Sequence, residues 1–153
     1  MNPANDRARK RPGQKRATNG KKRVLIADDE ENVLFILHGA LAKLSDCCDV
    51  VAVSNGWSAL EQARQSPFDL LLTDLRMPGL DGVALTEQIR ALYPGIVVIW
   101  MTAYGSADLR EQAERLGVYG CLDKPVEVGD IRAIVRQALS SESCADVFVQ
   151  EQK

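Results

Sequence analysis

The sequence predicts an α/β fold in which a parallel β-sheet is covered by helices on both faces. Three observations predict it. Short apolar runs alternate with segments of helical periodicity from residue 23 onward, the runs are apolar at nearly every position, and turn-forming residues separate the segments. Strands that are apolar on both sides need cover on both faces of the sheet. At 153 residues, we expect a single domain of this kind.

Five apolar runs of strand length predict the strands of the sheet. They are residues 24–27, 49–53, 70–73, 96–101 and 119–122. Turn signals follow several of these runs, including Ser-Asn-Gly at 54–56 and Met-Pro-Gly-Leu-Asp-Gly at 77–82.

Apolar residues three or four positions apart predict five helices, one after each strand. Their apolar faces are Val33, Leu37, Leu41 and Leu44; Ala59, Leu60 and Ala63; Leu85, Ile89 and Leu92; Leu109, Ala113 and Leu116; and Val128, Ile131, Val135 and Ala138. Pro67 and Pro94 should close the second and third helices, and Gly117 should end the fourth.

The charge is unevenly distributed along the chain. The first 23 residues hold nine basic and one acidic residue, which leaves ten basic and twenty acidic residues for the rest. We therefore expect a disordered basic tail at 1–22, a folded domain at 23–139 and a short C-terminal tail at 140–153. The tail lacks the aromatic residues and helix pair of a DNA-binding domain, so a solvated tail is favoured over a nucleic-acid site.

Membrane insertion and secretion are not expected for this sequence. Its apolar runs are shorter than a membrane span, and the N-terminus lacks the apolar core of a signal peptide. The four cysteines and the single histidine show no metal-ligand spacing, which favours reduced thiols and a cytoplasmic location.

Four of the predicted strands end beside a residue type that phosphate chemistry uses. Asp28 and Asp29 follow the first strand, Asp74 the third, Thr102 the fourth and Lys124 the fifth. Because the carboxyl ends of parallel strands form the ligand-binding edge of an α/β sheet, these side chains should lie close together.

Three carboxylates at one edge repel each other, and a bound Mg²⁺ would relieve the repulsion with the oxygen ligands it prefers. We expect Asp29 and Asp74 to bind the ion directly and Asp28 to act through water. Asp74 also offers an oxygen that can attack phosphorus. The Lys124 ammonium and the Thr102 hydroxyl can contact the other phosphoryl oxygens. Each residue alone has an ordinary alternative, such as a helix cap for Asp29, and their joint placement indicates function.

Residues 23–139 resemble a CheY-like receiver domain of two-component response regulators. The motifs that match are Val-Leu-Ile-Ala-Asp-Asp-Glu at 24–30, Thr-Asp-Leu-Arg-Met-Pro-Gly-Leu-Asp-Gly at 73–82, Met-Thr-Ala-Tyr-Gly-Ser at 101–106 and Asp-Lys-Pro at 123–125. The resemblance implies a flavodoxin-like fold of strand order 2-1-3-4-5.

The resemblance also implies a role for each site residue. Asp74 would accept a phosphoryl group from a histidine kinase or phosphotransfer protein. Thr102 would be the switch hydroxyl, and Lys124, ahead of a cis Pro125, would contact the phosphate.

Mg²⁺ would be held by Asp28, Asp29, Asp74 and the backbone carbonyl of Arg76. Such a domain catalyses only its own phosphorylation and dephosphorylation, and it regulates a downstream protein target. The resemblance further suggests a homodimer through the face of helix 4, strand 5 and helix 5.

One position departs from the family pattern. Three residues before Lys124 the family usually has Tyr or Phe, whereas this chain has Cys121. A cysteine cannot fill the volume of the aromatic ring that normally relays the switch. We expect Tyr104, in the loop after Thr102, to carry that movement instead and to shield the phosphoryl group partly from water.

The sequence favours a phosphorylation switch over three other functions. A scaffold that does not depend on phosphorylation has no need for intact Asp74, Thr102 and Lys124. A phosphatase with Asp74 as nucleophile usually has a second Asp two residues later, where this chain has Arg76. A flavin-binding protein needs a phosphate-cradling loop after the first strand, where this chain has an acidic run.

Overall fold

The computed structural model describes residues 21–44, 48–103 and 105–140. Five strands and five helices alternate along these ranges. The strands are β1 (Lys22–Ala27), β2 (Cys48–Val53), β3 (Leu70–Asp74), β4 (Val97–Thr102) and β5 (Gly120–Asp123). The helices are α1 (Glu31–Ala42), α2 (Gly56–Gln65), α3 (Gly82–Leu92), α4 (Ala107–Leu116) and α5 (Val128–Ser140).

The strands form one parallel sheet of order β2-β1-β3-β4-β5, which confirms the predicted topology. Each of the four neighbouring pairs is parallel. The chain therefore places β2 on one side of β1 and the later strands on the other side. The carboxyl ends of β1, β3 and β4 lie side by side. This is the place where open α/β sheets bind ligands.

Alternate residues of each strand enter apolar layers on opposite sides of the sheet, because successive side chains of a strand point to opposite faces. Leu25, Leu71 and Trp100 belong to the layer that α2, α3 and α4 cover. Ile26 and Ile99 belong to the layer that α1 and α5 cover. The two layers explain why the sequence is apolar at nearly every strand position.

Local sequence signals fix the ends of most helices. The side chains of Asn55, Asp81 and Ser106 accept hydrogen bonds from backbone N–H groups in the first turns of α2, α3 and α4. Gly117 ends α4 with a left-handed φ of 70°, as predicted. Helix α1 differs, since its N-cap residue is Glu30 and the side chain makes no capping bond.

Every strand differs from its predicted run by one or two residues at one end or at both. β1 begins at Lys22, two residues earlier than predicted. β5 covers Gly120–Asp123 rather than 119–122, because Gly120 pairs with Ile99 and pairing continues until Asp123 lies opposite Thr102. The basic tail before residue 21 and the tail after residue 140 lie outside the described residues. No helix in the described ranges is long and apolar enough to cross a membrane.

Candidate functional site

The fold brings the predicted site residues to one edge of the sheet. Asp28 follows β1, Asp74 and Thr102 are the last residues of β3 and β4, and Lys124 follows β5 directly. Asp28, Asp74 and Thr102 are buried, although all three are polar. Burial of a polar side chain costs free energy unless the side chain has a hydrogen-bond or ion-pair partner. The contacts of these residues therefore show how the site is stabilised.

Three carboxylates form a cluster at this edge. One oxygen each of Asp28, Asp29 and Asp74 lies within 4.8 Å of the others. Asp28 and Asp74 are buried, whereas Asp29 is exposed at the mouth of the cluster. Carboxylate oxygens brought together in this way are the ligands that Mg²⁺ prefers.

The buried oxygen Oδ2 of Asp28 supports the fit of a cation. No described donor is aimed at it in hydrogen-bond geometry, although the Lys124 ammonium lies 3.0 Å away as an ion-pair partner. The other oxygen, Oδ1, accepts a bond of 2.9 Å from the backbone N–H of Glu30. Asp28 therefore has one oxygen fixed by the backbone and one that could still gain a ligand.

Lys124 places one ammonium among three carboxylates. Its Nζ lies 3.0 Å from Asp28 Oδ2, 3.3 Å from Asp74 Oδ2 and 3.2 Å from Glu30 Oε1. The lysine follows a strand that pairs with β4, so its position depends on long-range sheet pairing rather than on local sequence. The peptide bond between Lys124 and Pro125 is cis, as the family resemblance implied.

The titration of the site shows opposing effects of burial and charge. Burial raises the pKa of Asp28 above 3.8, and the Asp74 charge adds to the rise, whereas the Glu30 N–H and Lys124 act against it. Burial alone would lower the pKa of Lys124, but Asp28, Asp74 and Glu30 outweigh burial and raise the pKa above 10.5. Lys124 is therefore a cation at neutral pH, and the Asp28 carboxylate gains from a further positive charge.

The backbone around Asp74 is held firmly. Its Oδ1 accepts a hydrogen bond of 2.9 Å from the Leu75 N–H, and its carbonyl accepts one of 2.8 Å from the Thr73 hydroxyl. The first residue of α3, Gly82, packs so closely that a Cβ there would lie 2.3 Å from the Asp74 carbonyl oxygen. Asp74 thus keeps Oδ2 directed toward Lys124 on a rigid support.

A cavity of about 580 Å³ opens above the carboxylate cluster. Its polar part is formed by Asp29, Glu30, Asp74, Lys124 and the exposed Arg76. Its other wall is apolar and consists of Val33, Ile36, Pro125 and Val126. A molecule that enters this cavity would therefore meet both the charged cluster and an apolar wall.

Thr102 and Cys121 line a neighbouring cavity of about 310 Å³ between β5 and α4. Thr102 lies one residue beyond Met101, which is the register partner of Asp74. Tyr104, which we expected to carry the switch movement, lies outside the described residues.

The sequence did not assign a role to Glu30, yet the structure brings it into the site. Its Oε1 accepts a hydrogen bond of 3.2 Å from the Lys124 ammonium. The only sequence signal was its place directly after Asp28 and Asp29. Spacing alone does not show that β5 and β1 lie close enough for this contact.

This fold and this site define a doubly wound α/β protein with an acidic cluster and a lysine at the strand ends. Residues 24–136 match the model of the response regulator receiver domain. The chain belongs to the family of response regulator receiver domains, which are phosphoacceptor signalling modules of two-component systems.

Individual relatives agree with this assignment. The chain is 36% identical over 117 residues to the DNA-binding transcriptional regulator NtrC of Escherichia coli, which covers 76% of this chain and 24% of that protein. It is 36% identical over 119 residues to the response regulator protein PilR of Pseudomonas aeruginosa, covering 78% and 26%. The chain thus spans about a quarter of the length of these curated relatives.

Solved structures show the same architecture. A CheY-like response regulator receiver domain protein from Methanospirillum hungatei superposes with a TM-score of 0.73 at 26% identity. The match covers 78% of this chain and 94% of that one. The likeness therefore extends over nearly the whole of a receiver domain.

Proposed function

We propose that Asp74 accepts a phosphoryl group from the phosphohistidine of a histidine kinase or phosphotransfer protein. Phosphorylation then changes how the domain binds a downstream protein. The observation that carries this proposal is the position of Asp74 Oδ2, 3.3 Å from the Lys124 ammonium within a cluster of three carboxylates. A nucleophilic oxygen and a cation for the incoming phosphoryl group are thus side by side.

In the proposed reaction, an Asp74 carboxylate oxygen attacks phosphorus and the bond from phosphorus to the donor nitrogen breaks. The electron pair of that bond leaves with the imidazole of the donor. Lys124 follows the negative charge from the carboxylate to the phosphoryl oxygens, since one ammonium can reach both. The Thr102 hydroxyl would donate a hydrogen bond to another phosphoryl oxygen. This bond would couple the phosphorylation to the loop after β4.

The carboxylate cluster supports a role for Mg²⁺. Asp29 and Asp74 would bind the ion directly, Asp28 through water, and the Arg76 carbonyl would supply a further oxygen. When bound, the ion would screen the carboxylates from the donor phosphate and stabilise charge on the transferring group. The buried Asp28 Oδ2 and the raised pKa of Asp28 support this assignment.

Exposed apolar residues beside the cavity support docking of a protein donor. Phe35 of α1 is 81% exposed, and its neighbour Ile36 is 47% exposed and lines the cavity wall. Val128, at the start of α5, is also exposed. Apolar side chains next to a reactive group are typical of protein interaction sites, so we assign this surface to the kinase or phosphotransfer protein.

The remaining parts of the proposal follow from this role. The domain would span the predicted residues 23–139 and one more residue at each end, because Lys22 begins β1 and Ser140 ends α5. The residues on either side would be tails outside it. The receiver would act as a signalling module and not as an enzyme on foreign substrates, without a DNA-binding domain within these 153 residues. The domain would pair with a second copy of itself through the face of α4, β5 and α5. The exchange would take place in the cytoplasm, because a histidine kinase takes its phosphoryl group from the ATP there.

A small phosphodonor tests the proposal without a kinase. Incubation with acetyl phosphate and Mg²⁺ should add one phosphoryl group that is stable in acid and released by base. The Asp74→Ala variant should gain none, and chelation of the metal should stop the wild-type reaction. Phosphorylation of Asp74→Ala at the wild-type rate would refute the assignment.

A further inference from the structure

The proposed reaction uses Asp28, Asp74 and Lys124 but gives no task to Glu30. Glu30 nevertheless forms the hydrogen bond of 3.2 Å with the Lys124 ammonium, on its outer side. The side chain of Glu30 is 60% exposed, whereas those of Asp28 and Asp74 are 0% and 7% exposed. Lys124 therefore lies between two buried carboxylates and one that faces the solvent.

We propose that Glu30 is a positioning residue that holds the Lys124 ammonium and competes with the phosphoryl group for it. This inference rests on the proposed function of Asp74. Glu30 would lower the affinity of the site for a phosphoryl group, because an ammonium engaged by Glu30 is less available to phosphoryl oxygens. Glu30 would thus shorten the life of the phosphorylated state.

The backbone explains why Glu30 is held in place rather than free at the surface. Its N–H donates to Asp28 Oδ1 at 2.9 Å, and its carbonyl accepts the Leu34 N–H at 3.0 Å in the first turn of α1. The position of its Cα is therefore fixed to the buried carboxylate on one side and to the helix on the other. From that point its side chain reaches Lys124.

The carboxylate cluster explains why the competition would persist in the active protein. Glu30 is not among the three carboxylates whose oxygens lie close enough to share a cation. A divalent cation bound there would weaken the attraction of Asp28 and Asp74 for Lys124, because it would offset most of the charge of the three carboxylates. Glu30 would keep its full charge and would become the strongest competitor for the ammonium.

Beryllofluoride binding measures this competition directly, because the compound mimics a phosphoryl group on a carboxylate. Titrations by fluorine NMR at saturating Mg²⁺ would compare the wild type with Glu30→Gln, Glu30→Asp and Glu31→Gln. Glu30→Asp keeps the charge but shortens the side chain by one methylene, which should take the carboxylate out of hydrogen-bond distance of Lys124. Glu31→Gln removes the same charge from the adjacent, exposed first residue of α1.

We expect Glu30→Gln and Glu30→Asp each to bind beryllofluoride about two- to fivefold more tightly than the wild type. That range corresponds to about 0.4–1 kcal/mol, which is within the values typical of an exposed ion pair. Glu31→Gln should stay near the wild-type affinity. Decay of the phosphorylated state should slow by a similar factor in both Glu30 variants, which a residue with only a structural role would not cause.

Two results would overturn the inference while leaving the proposed function intact. In one, Glu30→Gln and Glu31→Gln have the same effect, which means that only net charge matters. In the other, Glu30→Asp binds like the wild type, which means that contact with Lys124 is unimportant. Failure of the wild type itself to bind beryllofluoride with Mg²⁺ would instead refute the proposed function, and the inference with it.

Discussion

Gly82 offers a test of how closely the site depends on packing behind it. In Gly82→Ala, the new Cβ would lie 2.3 Å from the Asp74 carbonyl oxygen and 2.8 Å from the Leu75 Cα. Ordinary van der Waals contact begins near 3.4 Å, so the backbone of β3 or the start of α3 must move by about 1 Å. Both contacts are with backbone atoms, so a change of side-chain rotamer cannot relieve them.

This displacement should reduce both stability and reactivity. Overpacking of this kind costs about 1–3 kcal/mol of the free energy of unfolding. Misplacement of a reacting group by about 1 Å can slow its reaction by up to about a hundredfold. We expect urea unfolding to show the loss of stability, and phosphorylation by acetyl phosphate to slow by at least about tenfold under conditions where the variant is folded.

Gly39→Ala is the matched control. Gly39 lies within α1, and a Cβ there would meet nothing within 4 Å. This variant should gain about 0.5–1 kcal/mol, because alanine has the higher helix propensity, and it should react at the wild-type rate. A Gly82→Ala protein with wild-type stability and wild-type reactivity would show that the close contact behind Asp74 is unimportant.

Three further predictions concern the metal, the pH dependence and the partner. Asp29→Asn should weaken Mg²⁺ binding by about tenfold or more in a calorimetric titration. The control Asp130→Asn, at an exposed position, should bind Mg²⁺ like the wild type. Equal affinities of the two variants would exclude Asp29 as a ligand. Because the pKa of Asp28 is raised in the folded state, its contribution to metal-free stability is greatest below pH 3.8 and is lost as pH rises through the folded pKa. In Asp28→Asn, the free energy of unfolding should therefore fall less than in the wild type as the pH rises from 3.8 through the folded pKa. The same pH profile in both proteins would contradict a raised pKa of Asp28. Phe35→Ala should slow phosphorylation by a histidine kinase about tenfold, without changing the rate with acetyl phosphate; equal loss with both donors would indicate a folding defect.

The sequence was sufficient to predict the sheet and the edge at which the site forms. Runs apolar at nearly every position require cover on both faces, and the polar residues that end them can only meet at the carboxyl edge. Lys124 accordingly lies within ion-pair distance of Asp28 and of Asp74, although the three residues are far apart in the chain.

Features that depend on side-chain reach could not be predicted in the same way. The Glu30–Lys124 contact joins residues 94 positions apart and depends on the path of the chain after β5. The exposure of Phe35 was equally hidden, because helical periodicity shows which face is buried but not which apolar residues remain outside it. The end of β5 was misplaced because pairing with β4, and not local apolarity, decides where the strand stops.

The most direct test of the central claim is chemical mapping of the phosphorylated residue. Borohydride reduces the acyl phosphate of an aspartate to homoserine, which peptide mass spectrometry locates within the sequence. After reaction with acetyl phosphate and Mg²⁺, the account predicts homoserine at position 74. Conversion of Asp28 or Asp29, or phosphorylation of a hydroxyl group with no conversion at position 74, would contradict it.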